Sequence, residues 1–570
     1  MAWEALAPSR PAERRRAWLG AFAAAVLAAA GAAAAPVPQL AWRPPNGGLM
    51  TSAGARLPAQ VPLGSTWKLF VYGYLTATGA REPAYRCGNV KREPGDEYCC
   101  DPGESIGRDA ALQRSCGAYF EPKRLKLDAA SWQRFWADRQ APQWLQSLPA
   151  LKPGTRVPVP ALLEALQRMP DTGRLAARDA LLPNTLREPG LLDTLGSGPR
   201  FKTWSWTDVN GERFGGAAGW LADGTPFWIG GPGTGRQVMQ RDAGRLAQGW
   251  AGTGMLGIAP DAASVQAQPC VDVRFFARYP LARVLRRNDR PAAPGPLSEP
   301  GPYTFHFANG QQLAVPSQPG LLLVGPPAAP RLQARMTLED YVARVVDREG
   351  VATETAAARA LAIAARSWLQ QNAVPSATSG CLMVDDDSRA QRVSPRPPGA
   401  AAEAAARFTA GLVLRGAPVR YALERGGAQA DAQLLGWREA VAAGRAGQGM
   451  ETVLRQAFAT ATVAGWQAQG DCEPLPLAAQ WLNERAPRWQ RRLRREVGYE
   501  PLDAPPQVCL LQVGTPHADL RRGRVWLREW QTRDGRVTLI HEYLHLAFHR
   551  HPRGQDENDI ERLAQQLADL

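Results

Sequence analysis

Two histidines one helical turn apart, with a glutamate beside the first, are the residues of this chain best suited to chemistry. The chain has six histidines, and four of them lie between positions 541 and 551. On a helix, the imidazoles of His541 and His545 reach one Zn²⁺ ion, while Glu542 reaches a water molecule beside it. Zinc acidifies such a water, and the glutamate accepts its proton during peptide hydrolysis. We therefore predict a zinc cofactor, with Glu542 as general base; the alternative is a basic core helix whose histidines are ordinary hydrogen-bonded side chains.

A third protein ligand must follow this helix, and three residues are candidates. His551 has the spacing of the third histidine of metzincins, but Phe548 stands where that family needs a glycine to turn the chain, and a continuing helix would carry His551 about 9 Å further along its axis. Glu557 and Glu561 lie one turn apart on a second predicted helix. This pair resembles the glutamate helix of gluzincins, which favours Glu557 as the ligand and Glu561 as an orienting partner. A tight hairpin would also fold Glu561 back opposite His545, so both glutamates remain candidates.

The elements that must hold this site lie within residues 471–570, for which we predict a small zincin-like α+β domain. Alternating apolar residues predict strands at 508–513 and 524–530, and the second is placed to run past the metal helix as a substrate-aligning edge. Residues 481–495 are basic and aromatic and predict a helix with a solvated face. His517, in the loop between the strands, is a candidate for transition-state stabilisation or a simply exposed side chain.

The N-terminus indicates the compartment. Three arginines at positions 14–16 precede an apolar run at 18–30, which ends in the small-residue tract 31–35. This is the order of a secretory signal, and the run is too short for a comfortable membrane span. We predict a signal peptide over residues 1–35 and a periplasmic or secreted protein. If the segment stays uncleaved, it is the part that contacts the membrane.

Composition agrees with an exported multidomain protein. A chain of 570 residues with 45% hydrophobic content is expected to fold into three domains of ordinary size. Cys87, Cys99, Cys100 and Cys116 lie within thirty residues, and in an oxidising compartment they predict disulfides, although the spacing does not give their pairing. The net charge of +14 comes almost wholly from arginine and suits anionic envelope polymers or solubility. No nucleic-acid-binding motif accompanies it, so we expect no nucleic acid partner.

A second pair of reactive side chains lies near the N-terminus. Ser65 and Lys68 are three residues apart at the start of an apolar helical run. On a helix, this spacing brings the lysine amine to the serine oxygen, as an activated nucleophile requires. The alternative is a helix N-cap followed by a solvated lysine.

The surroundings of this pair resemble those of penicillin-binding proteins. Residues 115–120, SCGAYF, are similar to the SCNTYF stretch of that family, and residues 225–231, TPFWIGG, resemble the strand that follows its KTG motif. The resemblance implies a serine transpeptidase or β-lactamase-type domain over residues 36–290. Two departures imply that the fold is kept while ordinary turnover is lost: Gly117 replaces the asparagine, and residues 217–220, AAGW, stand where KTG is expected. The triplets starting at Lys202 and Gly233 are possible substitutes in imperfect positions.

The central part of the chain begins after a stretch that is rich in proline and glycine. Its composition predicts a linker at 291–300, followed by a domain over 301–470. Helical periodicity predicts helices at 338–347 and 355–371, with Glu349 in the connection between them.

This central domain resembles the stage II sporulation protein D and amidase-enhancer family. Residues 363–368, IAARSW, are similar to the AARTYA that ends that family's long helix, and residues 408–414 continue the likeness. The resemblance implies a SpoIID-like α+β domain in which Glu349 is the acid of a lytic transglycosylase. A single carboxylic acid suffices for this reaction if burial raises its pKa. The alternative is a surface acid at a helix terminus.

The order of the three domains resembles an uncharacterised family of predicted secreted bacterial proteins found near α2-macroglobulin-like proteins, which suggests such an envelope protein as a partner. The leading hypothesis is an exported zinc metallopeptidase whose catalytic domain is C-terminal, behind two cell-wall-enzyme-like domains that bind or process peptidoglycan. A non-catalytic peptidoglycan-binding scaffold and a lytic transglycosylase acting through Glu349 are the alternatives. The predicted fold class is thus multidomain α/β and α+β, and the expected substrate is a peptide or peptidoglycan.

Overall fold

This computed structural model describes residues 39–569 except 46, 53–55, 81, 84, 89–98, 101–102, 104, 252–269, 377–378, 388–389, 423–433, 467–471, 503, 512–515 and 521–522. The predicted signal peptide lies outside the described residues. Within the described ranges, no helix has the length and apolar character needed to cross a membrane. The chain folds into three units of mixed α/β structure.

The first unit is organised around one sheet. Its strands are β1 (Gln39–Trp42), β2 (Met50–Thr51), β3 (Val61–Pro62), β4 (Tyr85–Arg86), β5 (Ser105–Ile106), β6 (Arg156–Val157), β7 (Arg200–Thr207), β8 (Arg213–Trp220) and β9 (Pro226–Pro232). Its helices are α1 (Trp67–Thr78), α2 (Arg108–Gln113), α3 (Gly117–Phe120), α4 (Ala129–Ala137), α5 (Gln143–Gln146), α6 (Val159–Gln167), α7 (Asp171–Leu186), α8 (Leu191–Leu195) and α9 (Gly235–Ala251). Five strands form an antiparallel sheet in the order β2-β1-β9-β8-β7.

Both faces of this sheet are buried. Successive side chains of each strand point to opposite sides of the sheet, so they enter two different cores. On β9, Phe227 and Ile229 pack with Trp250 of α9 in one core. Trp228, between them, belongs to a second core with α1 and its neighbouring helices, where its ring stacks on Trp204 at a centroid distance of 6.0 Å. The sheet therefore separates two helical layers, and the layer holding α1 carries the serine and lysine.

The second unit contains the predicted central domain. Its strands are β10 (Cys270–Phe275), β11 (Leu281–Leu285), β12 (Gly295–Pro296), β13 (Pro302–Phe307), β14 (Gln312–Pro316), β15 (Leu321–Val324), β16 (Arg331–Thr337), β17 (Val374–Pro375), β18 (Leu382–Asp385), β19 (Leu412–Arg415), β20 (Arg420–Ala422), β21 (Leu434–Gly436) and β22 (Thr462–Gly465). Its helices are α10 (Leu338–Glu349), α11 (Thr355–Asn372), α12 (Ala400–Phe408), α13 (Trp437–Arg445) and α14 (Met450–Ala457). The helices α10 and α11 lie where periodicity predicts them. Strands β12-β15-β16-β10-β18-β17 form its largest sheet.

The start of this unit differs from the prediction. Strand β10 begins at Cys270 and lies inside the six-stranded sheet between β16 and β18, well before the predicted boundary. The predicted linker, 291–300, contributes β12, which pairs with β15, and Leu297 in the same stretch is 2% exposed. Proline and glycine are tolerated in edge strands and turns as well as in linkers. The composition of residues 291–300 therefore did not distinguish a linker from an edge strand of the domain.

The third unit contains the predicted metal site. It consists of α15 (Pro476–Leu493), β23 (Gln507–Leu510), β24 (His517–Asp519), β25 (Arg524–Leu527), α16 (Arg533–Ala547) and α17 (Glu557–Ala568). The strands form a three-stranded sheet in the order β23-β25-β24. The three helices pack around one core with Val508, Val525 and Trp530. The helices and the strands β23 and β25 agree with the predicted ones to within a few residues. The prediction of a loop around His517 is wrong, because β24 lies there, and β25, which was predicted as the edge strand, lies in the middle of the sheet.

All eight cysteines form disulfides. The pairs are Cys87–Cys100, Cys99–Cys116, Cys270–Cys381 and Cys472–Cys509. Two of them lie in the first unit, and each of the other units has one. This complete pairing agrees with folding in an oxidising compartment.

Reciprocal hydrogen bonds join the first two units. Glu451, in the first turn of α14, accepts from the backbone N–H groups of Gly190 at 3.1 Å and Leu192 at 3.1 Å. In return, Asp193 of α8 accepts from the backbone N–H of Glu451 at 2.9 Å. Each carboxylate thus satisfies free N–H groups at the start of the other short helix.

These two carboxyl groups should make the docking of the units depend on pH. Burial raises the pKa of Asp193 and Glu451 above their ordinary values of 3.8 and 4.5, so the docked state binds protons more tightly than the unfolded chain. The contribution of these two groups to stability is complete when the pH is below their ordinary pKa values. It is lost as the pH rises through their raised pKa values. Glu451→Gln should flatten this dependence. Urea midpoints between about pH 4 and about pH 8 measure it, with the exposed Glu403→Gln as control; equal slopes in all three proteins would contradict the prediction.

Candidate functional site

Helix α16 carries the predicted histidines and is fixed where it begins. Thr532 caps it by accepting a hydrogen bond from the Gly535 backbone N–H at 3.0 Å. Gly535 allows a close approach, since an added Cβ would lie 2.7 Å from the Glu529 carbonyl oxygen. The buried side of the helix packs into the core of the third unit, while the side chains of His541 and His545 are each 15% exposed. The helix therefore presents both imidazoles at the surface of the unit.

Helix α17 runs back along α16 and brings the predicted glutamates to the histidines. It is capped by Asp556, whose side chain accepts from the Asn558 and Asp559 backbone N–H groups. Its buried residues Ile560, Leu563, Ala564 and Leu567 belong to the same core as those of α16. The short connection between the helices thus makes the hairpin that the sequence predicts.

Three ligand-type atoms converge between the two helices. The Nε2 atoms of His541 and His545 lie 3.0 Å apart. Glu557 Oε2 lies 3.1 Å from His541 Nε2 and 3.6 Å from His545 Nε2. Ligands about 2.0–2.1 Å from a tetrahedral zinc ion are separated by roughly 3.3 Å, so this spacing fits zinc.

The other ring nitrogens explain the orientation of the imidazoles. His545 Nδ1 lies 2.8 Å from the Gly554 carbonyl oxygen, which only accepts, so this nitrogen carries a proton. His541 Nδ1 lies 3.0 Å from Glu561 Oε2 and donates to that carboxylate in the same way. In neutral rings both Nε2 atoms then carry lone pairs, and these face each other and the Glu557 carboxylate. Three lone-pair atoms that face one another at this spacing are the arrangement of a metal-ligand set.

Glu542 lies next to this cluster and is buried. It is 6% exposed, and burial raises its pKa to about 7. The backbone N–H of Ala518, on β24, donates a hydrogen bond to its carboxylate. The strand β24 therefore runs beside the predicted base as well as beside α16.

The remaining histidines of the region do not join the cluster. Helix α16 ends at Ala547, and His551 instead caps a short 3₁₀ helix by accepting from the Arg553 backbone N–H. His549 Nδ1 faces the Leu546 carbonyl oxygen at 2.9 Å. His517 lies in β24 rather than in a loop, with its ring stacked on Trp526 at 6.1 Å. The cluster is thus made of His541, His545 and the glutamates of α17.

Ser65 and Lys68 form a second cluster together with Ser115. Lys68 Nζ donates to Ser65 Oγ at 3.1 Å and to Ser115 Oγ at 2.9 Å, and the two hydroxyl oxygens lie 3.0 Å apart. Lys68 is 6% exposed, so its interpretation as a solvated lysine is wrong. Ser115 was not among the predicted site residues, although it begins the SCGAYF stretch that could have indicated it. The three groups have the contacts of an activated nucleophile.

The strand beside this serine is β7, not the strand that the sequence indicated. The AAGW stretch at 217–220 lies on β8, in the interior of the sheet. The strand β7, at the edge of the sheet, carries Lys202, Thr203 and Trp204. It packs closely against the residue before Ser65, because an added Cβ at Gly64 would lie 2.9 Å from Trp204 Cβ. The triplet of Lys202 therefore stands next to the serine cluster, with tryptophan in place of the final glycine.

Glu349 ends α10 and is held in a hydrogen-bond network. Its Oε1 accepts from the Arg392 backbone N–H at 2.6 Å, and its carboxylate also bonds to the Tyr421 hydroxyl. Gln391 Nε2 in turn donates to the Tyr421 oxygen at 2.8 Å and is itself fully buried. Burial raises the pKa of Glu349. The glutamate is therefore not a freely solvated helix-terminal acid.

Comparison with known proteins identifies the family. Residues 91–212 and 433–553 match a family described as predicted secreted protein (DUF2300), and residues 331–415 match the stage II sporulation protein family SpoIID. These matches define a secreted multidomain protein with a SpoIID segment between two parts of a DUF2300 segment. The chain is 40% identical over 513 residues to Uncharacterized protein YfaQ of Escherichia coli (strain K12), which covers 89% of each chain. The chain therefore belongs to the same family as YfaQ, and it contains the DUF2300 and SpoIID segments.

Solved structures similar to part of the chain include β-lactamases and a penicillin receptor. A class D β-lactamase from Sebaldella termitidis covers 38% of this chain and 91% of its own, with 10% identity and a TM-score of 0.26. The C-terminal domain of the Bacillus licheniformis BlaR penicillin receptor covers 38% and 90%, with 12% identity and a TM-score of 0.28.

The family match confirms the predicted compartment. DUF2300 proteins are predicted to be secreted, as the signal-like N-terminus indicates for this chain. The predicted resemblances to a secreted bacterial family and to SpoIID are confirmed as well. The protein is periplasmic or secreted.

Proposed function

We propose that this protein is an exported zinc metallopeptidase of the bacterial cell envelope. The observation that supports this function is the convergence of His541 Nε2, His545 Nε2 and Glu557 Oε2 within 3.6 Å of one another. Two imidazoles and a carboxylate are the ligand set of many catalytic zinc sites, which keep a fourth position open. Hydrogen bonds from the outer ring nitrogens to Glu561 and to the Gly554 carbonyl fix the tautomers that such ligands require.

The protein groups around this cluster have distinct roles in the proposed reaction. A zinc ion bound there would acidify water and polarise a peptide carbonyl. Glu542 accepts the proton of the attacking water, because its carboxylate is adjacent to His541 and shielded from bulk solvent. Strand β24 lies at one end of the described three-stranded sheet and can pair with an extended peptide through its backbone. The substrate would then pass along α16 in a defined orientation.

Zinc content of the purified mature protein tests this proposal. We expect about one zinc per chain by elemental analysis, and its loss in His545→Ala and Glu557→Gln. Glu561→Gln should keep zinc but bind it about 10–100-fold more weakly, since Glu561 contacts only the outer nitrogen of His541. His551→Ala is the matched control and should bind zinc like the wild type. A wild-type protein without zinc after reconstitution, or full zinc in His545→Ala, would refute the proposed ligands.

The first two units are proposed to bind or process peptidoglycan. A second candidate function, lytic transglycosylase activity, is favoured by the network that holds Glu349. A glutamic acid with a pKa raised by burial is suited to protonate a glycosidic oxygen. The α2-macroglobulin-like partner suggested by the family resemblance also remains a proposal.

Digestion of purified peptidoglycan tests this second function. We expect wild-type protein to release soluble sugar fragments in the presence of a zinc chelator, and Glu349→Gln to lose this activity by about 10²–10⁴-fold. Glu354→Gln, five residues further along, alters an ion pair with Arg445 and should keep the activity. Equal release of sugar fragments by Glu349→Gln and Glu354→Gln would exclude Glu349 as the acid.

A further inference from the structure

A groove runs along helix α13 in the second unit. Its volume is about 360 Å³. The residues that line it lie on one face of the helix and are Trp437, Arg438, Val441, Ala442 and Arg445. The lining extends over eight residues of helix, or about 12 Å, so the groove accommodates an extended ligand.

Two close contacts place α13 along the connection that follows Glu349. An added Cβ at Gly350 would lie 3.0 Å from Trp437 Cη2, and one at Gly444 would lie 3.3 Å from Ala356 Cβ. Gly350 directly follows the acid, and Ala356 lies at the start of α11. The indole of Trp437 is therefore at the end of the groove that is next to Glu349.

Strand pairing gives the same placement from the other side of the acid. The Tyr421 hydroxyl, which bonds to the Glu349 carboxylate, belongs to β20, and Tyr421 pairs with Leu435 of β21 in a parallel register. Strand β21 ends at Gly436, and α13 begins at the next residue, Trp437. The acid, its tyrosine partner and the tryptophan are thus held by neighbouring elements.

The chemistry of the lining indicates the kind of ligand. Trp437 and Val441 are half-buried and pack against the core of the second unit, so their remaining surface faces the groove. Ala442 beside them is exposed, and Val351, in the connection after Gly350, is 53% exposed. An aromatic ring with small apolar neighbours suits the C–H face of a sugar and the methyl group of an acetamido substituent.

The acid and the groove come from different segments of the family matches. Glu349 lies in the segment 331–415, which matches SpoIID, whereas α13 lies in the segment 433–553, which matches DUF2300. The groove is therefore an addition to the SpoIID segment, made by the part of the chain that follows it.

We propose that this groove binds an N-acetylated sugar of a peptidoglycan strand, which stacks on Trp437 while the adjoining glycosidic bond lies at Glu349. The inference deepens the second candidate function and rests on it for the position of the bond. Binding of the glycan itself requires no catalysis. Trp437 is a binding residue that holds the strand beside the acid.

Calorimetric titration of the full-length mature protein tests the groove. The probe is a peptide-free tetrasaccharide of alternating N-acetylglucosamine and N-acetylmuramic acid, and its control is maltotetraose, which lacks acetamido groups. The titrations use Glu349→Gln protein, so that the probe stays intact. We expect the probe to bind at least about tenfold more tightly than maltotetraose. Adding Trp437→Leu should weaken its binding by at least about tenfold, and adding Trp437→Phe by no more than about threefold.

A second variant and a control separate the groove from general damage to the unit. Ala442→Glu changes an exposed helix position, fills the groove and should also weaken the probe by at least about tenfold. Trp466→Leu removes another half-buried tryptophan and should leave the affinity unchanged. The Trp466 carbonyl oxygen accepts from Gln370 at 2.9 Å, about 21 Å along α11 from Ala356.

The outcomes distinguish failure of the groove from failure of the transglycosylase. Unchanged affinity in Trp437→Leu and Ala442→Glu, equal affinity for the two oligosaccharides, or no binding of the probe would overturn the groove. Probe binding by a wild-type protein that releases no sugar fragments would refute the transglycosylase alone. In an active protein, Trp437→Leu should raise KM by at least about tenfold with kcat within about threefold. A loss of kcat at constant KM would overturn the binding role of Trp437.

Discussion

Glu542→Gln is expected to reduce peptide hydrolysis by about 10²–10⁴-fold while the protein keeps its zinc. Glutamine has nearly the same shape as glutamate, but it cannot accept a proton at neutral pH. The side chain is 6% exposed and receives a hydrogen bond from the Ala518 backbone N–H. A water molecule or buffer base from solvent therefore has little access to the position of the carboxylate and cannot easily replace it. The variant should therefore separate the base from the metal ligands.

The measurement compares turnover of quenched fluorescent peptides by zinc-loaded wild type and variant. Glu484→Gln is the control, because Glu484 is an exposed residue of α15 bonded to Gln480. It should keep wild-type turnover. A Glu542→Gln enzyme that retains most of the activity with full zinc would show that another group accepts the proton.

Glu339→Ala is expected to destabilise the second unit by about 3–5 kcal/mol, because it leaves a buried charge without its partner. Arg366 is fully buried and pairs with Glu339 Oε2 at 2.5 Å. The guanidinium also donates to the Leu412 carbonyl oxygen at 2.9 Å, and Glu339 Oε1 accepts from the Gly411 backbone N–H at 3.0 Å. The pair therefore joins α10, α11 and the start of β19.

The loss of stability is measured by urea titration, with amide hydrogen exchange in α11 as the signal. Exchange in this helix reports on the second unit alone, within a chain of several domains. Glu403→Ala breaks an exposed pair with Arg407 in the same unit and should cost no more than about 1 kcal/mol. The double variant Glu339→Leu with Arg366→Met should be more stable than Glu339→Ala, since it removes both charges. A double variant that is less stable than Glu339→Ala would contradict this explanation.

The cluster of His541, His545 and Glu557 could be predicted in outline because local sequence determines it. The spacing of His541 and His545 fixes their shared face on any helix, and the break before Glu557 requires a hairpin. The sequence could not decide between Glu557 and Glu561, because the choice depends on how far the two helices slide past each other. In the structure, Glu557 faces both Nε2 atoms and Glu561 faces the outer nitrogen of His541.

The serine cluster was harder to predict because it depends on long-range pairing. The order of strands in a sheet is set by contacts distant in sequence, so the neighbour of Ser65 could not be read from the residues around it. Motif likeness favoured residues 217–220, whereas β7 with Lys202 is the strand at the edge. The start of the second unit was missed for the same reason, since β10 pairs with strands more than fifty residues away.

The disulfides of the first unit impose a demand on how the protein is made. Cys87 joins Cys100 and Cys99 joins Cys116, so the two loops overlap by a pair of adjacent residues. Cys99 and Cys100 are neighbours in the chain, so the thiol of Cys87 and that of Cys116 each meet two adjacent candidates during oxidation. A wrong first bond is corrected by thiol–disulfide exchange through a mixed disulfide. We therefore expect a disulfide isomerase to increase the yield of correctly paired protein.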